Sequence, residues 1–153
     1  MIRSVCTAFV NAPLFRKRSA EAKLLWYTLY MHPAQHLCGL FVIDMEQLAL
    51  AASLPPKKTA DALSELCAHG LCRIDKTQDL VWLPEMSARI KAAGPKVSSS
   101  VDKWVHSLGN HAICKMVCDT LSIPYRYPID TLLTDSGIGI GIGSGIVSDS
   151  EIP

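Results

Sequence analysis

The sequence predicts a mainly α-helical fold with one small β-hairpin, and three observations support this prediction. Apolar residues make up 49% of the 153-residue chain, which is enough to fill a buried core. They recur at intervals of three and four residues in segments bounded by Ser, Asp, Gly or Pro, as in capped helices. Two short β-prone runs, Leu71–Asp75 and Leu80–Leu83, flank the polar loop 76–79 and predict a hairpin.

The N-terminal part of the chain is predicted to contain an extended piece, a helix and a strand. Val5–Val10 predicts the extended piece, which the Asn-Ala-Pro sequence at residues 11–13 ends. Ser19 is a suitable N-cap for a helix over residues 20–31. The apolar run 39–43 begins at a glycine and is too short for a helix, so we expect a strand there.

Two further helices are predicted before the hairpin. Asp44 is the expected N-cap of the second helix, with Gln47 as its capping-box partner. The third helix is expected to begin at Pro56 in its first turn and to run to His69, with Gly70 as a left-handed terminator. Its predicted inward stripe is Ala60, Leu63, Leu66 and Cys67. Its predicted outward face is Lys57, Lys58, Asp61, Ser64 and Glu65.

The order helix, strand, helix, helix, hairpin is that of a winged helix-turn-helix. In that fold the third helix enters a DNA groove and the hairpin forms the wing. We therefore predict a winged-helix domain over residues 1–92.

Two more helices are predicted in a C-terminal extension over residues 93–133. The apolar stripe Val97, Val101, Trp104, Val105 and Leu108 predicts a helix over 101–108, with the serines at 98–100 as its N-cap. Ile113, Met116, Val117 and Leu121 predict the second helix. Residues 134–153 include alternating Gly and Ile, which predicts a disordered tail because glycine is entropically costly to order.

Charge is unevenly distributed although the net charge is only +1. Residues 1–110 hold 13 Lys and Arg against 9 Asp and Glu, a net charge of +4, whereas residues 111–153 carry −3. A basic body with an acidic tail fits weak nucleic-acid binding. No stretch reaches the roughly 18 apolar residues of a membrane span, and no secretory signal is evident. We expect a cytoplasmic protein without membrane contact.

The sequence offers no pattern of an enzyme. Six cysteines are present without a Cys-x-x-Cys motif, and their apolar neighbours predict buried thiols rather than disulfides or metal ligands. We find no nucleophile with a base beside it, no paired carboxylates and no metal motif. We therefore expect a binding protein that needs no cofactor.

Three basic groups are the candidates for contact with double-stranded DNA. At the start of the third helix, two lysine ammonium groups lie beside free backbone N–H groups and the positive end of the helix dipole. This combination is suited to binding a phosphate. The basic run before the first helix is suited to the phosphate backbone, and Gln78 can read a base edge through two hydrogen bonds. The candidate residues are Arg16, Lys17, Arg18, Lys57, Lys58, Thr59, Ser64, Arg73, Lys76 and Gln78.

Other functions remain open at this point. Charged runs are usually only solvated, and Asp61 and Glu65 on the outward face of the third helix would repel phosphate. Winged helices also serve as protein-interaction modules, which a modest net charge fits equally well. A transcriptional regulator is a third interpretation, which a palindromic footprint would distinguish.

Several short motifs resemble one known family. The segments are Arg3–Phe9, Glu21–Leu25, Gly39–Val42, Leu66–Leu71 and Leu80–Pro84. Together they resemble the N-terminal winged-helix domain of phage replication initiators, also called replisome organisers. Gly94–Val97 and Ile123–Leu132 are similar to the region that follows the wing in that family, so the resemblance covers roughly residues 3–132.

The resemblance implies a function in DNA replication. It implies binding to origin or replication-fork DNA in the cytoplasm of a host cell, and a downstream segment that recruits a helicase or helicase loader. The C-terminal helices would then pack on the domain or form a homodimer or partner surface. The alternative within the same setting is a protein-interaction module that inhibits a host or defence complex or bridges replisome components.

Overall fold

The computed structural model describes residues 5–127 of the chain, which divide into two compact units. The first ends at Ser87 and the second begins at Ala88. The predicted domain boundary at residue 92 lies a few residues further along. The expected tail over 134–153 and the last residues of the expected extension, 128–133, lie outside the described residues.

The first unit opens with two short helices, where an extended piece was expected. These are α1 (Thr7–Asn11) and α2 (Pro13–Arg16), joined at Ala12 in extended conformation. The expectation for Val5–Val10 is therefore wrong. The Phe9 ring on α1 lies 4.9 Å from the Trp26 ring. This contact joins residues that are far apart in the sequence, so local sequence preference does not predict it.

The predicted first long helix is confirmed as α3 (Ala20–Met31). The Ser19 hydroxyl accepts a hydrogen bond from the Ala22 backbone N–H at 3.1 Å, which satisfies a donor of the first turn. One face of the helix is buried and supplies much of the core of the unit. Its buried side chains are Ala22, Leu25, Trp26, Leu29 and Tyr30.

The next two helices are α4 (Met45–Ala52) and α5 (Pro56–Ala68), both close to their predicted positions. Asp44 caps α4 by accepting from the Gln47 N–H at 2.8 Å, as predicted. α4 ends at Ala52, and its C-cap residue Ser53 has a left-handed φ of 57°. The buried stripe of α5 is Thr59, Ala62, Leu63 and Leu66. Ala60, predicted to face inward, is exposed, and Cys67 is only half-buried.

A three-stranded antiparallel sheet closes the first unit and confirms the predicted hairpin. Its strands are β1 (Leu40–Val42), β2 (Arg73–Asp75) and β3 (Leu80–Trp82). The order is β1-β3-β2, so the hairpin strand β3 lies in the middle, with Trp82 opposite both Leu40 and Arg73. The predicted fold of mainly α-helix with a small β-element is thus confirmed.

A buried polar cluster joins the sheet to a helix that the sequence did not predict, α6 (Pro84–Arg89). The Trp82 indole N–H lies 3.0 Å from the Ser87 hydroxyl and 3.2 Å from the Cys38 carbonyl oxygen. The Ser87 hydroxyl donates to that same carbonyl at 2.6 Å. These bonds pair polar atoms that burial would otherwise leave without hydrogen bonds.

The second unit contains α7 (Pro95–Ser107) and α8 (Ala112–Leu121). α7 begins six residues before the predicted start, so the serines at 98–100 lie inside the helix and do not cap it. The two helices turn at Gly109, where φ is 101°. The Tyr125 hydroxyl accepts from the His111 N–H at 3.0 Å and donates to Asn110 Oδ1 at 2.8 Å, which fixes the segment after α8 to this turn.

Candidate nucleic-acid interface

The exposed side of α5 forms a ridge of polar side chains, which we call the α5 ridge and define as Lys57, Asp61 and Ser64. Successive residues of an α-helix are rotated by about 100°, so Asp61 and Ser64 lie within about 40° of Lys57. All three are exposed. Lys58 is exposed as well and lies about 100° from Lys57, on one flank of the ridge.

Lys57 is paired only weakly. Its ammonium nitrogen lies 3.4 Å from Asp61 Oδ2, and the two side chains are 87% and 70% exposed. An exposed pair of this kind contributes at most about 0.5 kcal/mol, so a phosphate can replace the carboxylate as the partner of Lys57. The neighbouring Asp61 still lowers the positive potential of the ridge.

Thr59 does not belong to the exposed surface. It is 1% exposed, and its hydroxyl donates to the Pro55 carbonyl oxygen at 3.1 Å. The prediction that its side chain contacts DNA is therefore wrong. The physical reason is its place in the buried stripe, three residues before Ala62 and four before Leu63.

The basic run before α3 consists of Arg16, Lys17 and Arg18 and lies beside α5. Its three side chains differ in their contacts. Arg18 donates to the Leu14 carbonyl oxygen at 2.9 Å, and its guanidinium lies 3.8 Å from Glu65 Oε2. The Arg18 guanidinium therefore already interacts with groups of the protein itself. Arg16 and Lys17 are exposed and remain available to a polyanion.

Glu65 connects two helices at this corner of the unit, whereas the sequence placed it on the outward face of the third helix as an acid that would repel phosphate. Its carboxylate accepts from the Ser19 hydroxyl at 2.7 Å and from the Ser19 backbone N–H at 2.8 Å. These hydrogen bonds, with help from the nearby Arg18 guanidinium, hold the pKa of Glu65 below its usual value. Glu65 therefore joins the start of α3 to α5.

Glu65→Ala is expected to lower the free energy of unfolding by about 1 kcal/mol at neutral pH, because the hydrogen bonds to Ser19 are lost. Since the folded-state pKa is lowered, the stabilisation is present above the usual pKa near 4.5 and is lost as the pH falls through the folded-state value. Urea unfolding at neutral pH and at about pH 3 measures both effects.

Glu65→Gln is the matched control, since its amide oxygen can still accept from Ser19 but does not ionise. It is expected to retain part of the stability and to lose the acid dependence that this carboxyl contributes. Equal stability of the wild type and Glu65→Ala at neutral pH would contradict the assigned role.

The hairpin carries the third basic group. Arg73, Lys76 and Gln78 are all exposed. The turn is closed by Asp75, whose carboxylate accepts from the Thr77 N–H at 3.0 Å and from its hydroxyl at 2.7 Å. Asp79 takes a left-handed φ of 54° before β3 begins. The turn thus presents the side chains at 76–78 to solvent.

The α5 ridge lies between the other two groups. Glu65, about 80° from Lys57 in one direction, contacts Ser19 and the end of the basic run. Cys67 lies about 80° away in the other direction. Its interaction with the Cys72 thiol lowers its pKa, and the positive charges of Arg73 and Lys76 act in the same direction. The basic run and the hairpin therefore flank opposite sides of the same exposed ridge.

The net charge of the first unit does not favour a polyanion by itself. Between residues 5 and 87 the chain holds eight Lys and Arg and eight Asp and Glu. The basic excess expected for residues 1–110 falls mainly in the second unit, where residues 88–127 hold six basic and two acidic side chains. Attraction to phosphate at the first unit must come from local placement of its basic groups.

Within 5–127, no three His, Cys, Asp or Glu side chains are placed to hold one metal ion. No helix in this part of the chain is long and apolar enough to cross a membrane.

The order α3, β1, α4, α5, β2, β3, with β3 central in the sheet, is the element order of a winged helix, and α5 is its third helix. Comparison with known proteins adds no closer assignment, since no family model, curated protein or solved structure matches the chain.

Proposed function

We propose that the first unit binds double-stranded DNA, with the α5 ridge facing the duplex. The observation that carries this proposal is the placement of the basic run and the hairpin on opposite flanks of that ridge. A duplex that approached α5 would bring phosphates near Arg16 and Lys17 on one flank and near Arg73 and Lys76 on the other. The two contacts would set the register of the protein on the backbone.

Each group then has a distinct role. Lys57 and Lys58 lie in the first turn of α5, where exposed backbone N–H groups add to their charge, and they bind phosphate. Ser64 and Gln78 supply exposed hydrogen-bonding groups for base edges or backbone. Arg18 acts indirectly, by anchoring the basic run through Leu14 and Glu65.

We place this binding activity in replication initiation in a phage or prophage. The support for this step is the similarity of the short motifs to replisome organisers, together with the winged-helix topology. On this proposal the protein works in the host cytoplasm as a non-enzymatic DNA-binding component. A helicase or its loader is the partner that the similarity indicates.

Lys57→Glu combined with Lys58→Glu is expected to weaken duplex binding by roughly tenfold to a hundredfold at low salt, because two phosphate contacts become repulsive. The slope of log affinity against log salt should become shallower by about 2. Fluorescence anisotropy with a labelled duplex of about 30 base pairs, over a salt series, measures both quantities.

Lys96→Glu combined with Lys103→Glu is the matched control. Both lysines are exposed on α7 in the second unit, and this pair changes the net charge by the same amount. A loss confined to the Lys57 and Lys58 pair supports the proposed face. Equal losses in the two doubles would show a general charge effect, and no duplex binding by the wild type would remove the proposal.

A protein-interaction module is the second candidate, and one observation favours it. Leu24, Tyr27 and Met31 lie on one face of α3 and are 45%, 36% and 55% exposed. Apolar side chains grouped in this way are typical of a surface that contacts another protein. Failure to bind any duplex at low salt would favour this candidate over DNA binding.

A further inference from the structure

Asp61 lies near the middle of the α5 ridge and cannot itself bind a phosphate. It follows Lys57 by about 6 Å along the helix axis and precedes Ser64 by about 4.5 Å. A helix that enters the major groove, which is about 12 Å wide, presents its outermost side chains to the base edges. The short Asp61 side chain would therefore face bases, whereas the longer Lys57 side chain can extend to a phosphate.

The Asp61 carboxylate is open to an outside donor. Its Oδ2 lies 3.4 Å from the Lys57 ammonium nitrogen, and the two side chains are 70% and 87% exposed. Glu65, the other acid on α5, is instead engaged by two hydrogen bonds from Ser19. Of the two α5 carboxylates, Asp61 is the one that can accept a hydrogen bond from a ligand.

Duplex binding would leave this carboxylate in need of a new donor. A phosphate competes with Asp61 for the Lys57 ammonium group, because the exposed pair is weak. A carboxylate enclosed between a helix and the groove also loses water, and it is costly to enclose without a hydrogen-bond donor. The base that lies opposite Asp61 must then supply that donor.

The four bases offer different groups to a carboxylate in the major groove. Cytosine N4 and adenine N6 carry amino groups that donate, whereas guanine O6 and N7 and thymine O4 are acceptors that would repel it. The adenine amino group lies between two acceptors, its own N7 and thymine O4. The cytosine amino group has one acceptor beside it, guanine O6, so cytosine is the best match for a carboxylate.

We propose that Asp61 determines sequence specificity by accepting a hydrogen bond from the N4 amino group of one cytosine in the major groove. This inference rests on the proposed function, since it requires α5 to face a duplex. Lys57 exchanges the Asp61 carboxylate for a phosphate, and Asp61 exchanges Lys57 for the cytosine. A guanine or thymine at this position brings an acceptor to the carboxylate and weakens binding by roughly tenfold.

Asp61 also lowers binding to unrelated duplexes. The described part of the first unit holds equal numbers of basic and acidic side chains, so its attraction to the phosphate backbone is modest. The Asp61 carboxylate repels the backbone whatever the sequence, and a donor from cytosine offsets that repulsion at the matching site only. Specificity then comes from a penalty against the wrong sequence as well as from a favourable contact.

The test is to select duplexes with a randomised central segment on the full-length protein and to sequence the bound pool. The wild type is expected to enrich cytosine at one position. Asp61→Ala should lose the enrichment at that position and bind unselected duplexes about twofold to fivefold more tightly. Asp61→Asn should move the preference to adenine, whose N6 and N7 pair with an amide. Because Asp61 is exposed, both variants are expected to fold.

Asp119→Ala is the matched control. Asp119 also pairs with a lysine four residues before it, since its Oδ2 lies 2.7 Å from the Lys115 ammonium nitrogen on α8 in the second unit. The control removes the same charge and should keep the base preference of the wild type. An unchanged preference in Asp61→Ala, an equal loss in Asp119→Ala, or no cytosine preference in the wild type would overturn this inference alone. Absence of wild-type binding to any duplex would instead remove the proposed function, and this inference with it.

Discussion

Gly39→Ala is expected to lower the free energy of unfolding by about 3 kcal/mol or more, which is among the largest effects of any single change in the first unit. A Cβ at this position would lie 2.5 Å from the Leu83 carbonyl oxygen and 2.9 Å from Met86 Cβ. The first of these atoms is backbone and cannot move without disturbing the hydrogen bond from the Leu83 N–H to the Gly39 carbonyl. Chemical denaturation monitored by far-ultraviolet circular dichroism measures the loss.

Gly70→Ala separates crowding from backbone strain. Gly70 also has a left-handed φ, of 72°, but no neighbouring atom lies within 4 Å of a Cβ added at this position. Only the strain of a left-handed alanine remains, about 1 kcal/mol. Similar losses in the two variants would show that the close approach of β1 to the start of α6 is not what selects glycine at position 39.

Trp26→Ala is the second large effect, with an expected loss of about 3–5 kcal/mol. The indole is 1% exposed, and its ring lies 4.9 Å from that of Phe9, 5.2 Å from that of Phe15 and 5.0 Å from that of Tyr30. Removing it leaves a cavity at the point where α1, α2 and α3 meet. Denaturant unfolding reports the loss of stability, and near-ultraviolet circular dichroism reports the loss of aromatic packing.

Trp26→Phe is the control for this prediction. The indole N–H is buried and has no hydrogen-bond partner among the described residues, so its removal relieves an unsatisfied donor. Phenylalanine also fills much of the space, and we expect a cost of only about 1 kcal/mol. A loss as large as that of Trp26→Ala would show that the cluster depends on the shape of the indole and not on the volume it fills.

The aromatic cluster around Trp26 also supports the elements that carry the proposed DNA-binding residues. The aromatic cluster holds α2 against α3, and the basic run begins at Arg16, the last residue of α2. Glu65 then fixes the end of that run to α5. A variant that weakens the cluster is expected to displace Arg16 and Lys17 from the flank of the α5 ridge, so DNA binding should be compared only among variants that remain folded.

The sequence by itself determined the features that depend on neighbours within about five residues along the chain. Ser19 and Asp44 cap their helices through N–H groups three residues ahead. At the end of α5, the Gly70 N–H donates to the Cys67 carbonyl and the Leu71 N–H donates to the Leu66 carbonyl. The hairpin and the order of elements follow from equally local signals. These were sufficient to predict a winged helix.

Only the tertiary structure decided features that depend on residues far apart in sequence. Phe9 is helical where an extended piece was expected, and its ring contacts Trp26. Glu65 connects α5 to the start of α3 through a long-range hydrogen bond. Ser19 lies 46 positions away in the chain, yet its backbone N–H donates to the Glu65 carboxylate at 2.8 Å. Thr59 faces the core and not a phosphate because helix α5 rotates to bury the stripe with the larger apolar area, which outweighs the cost of burying one hydrogen-bonded hydroxyl.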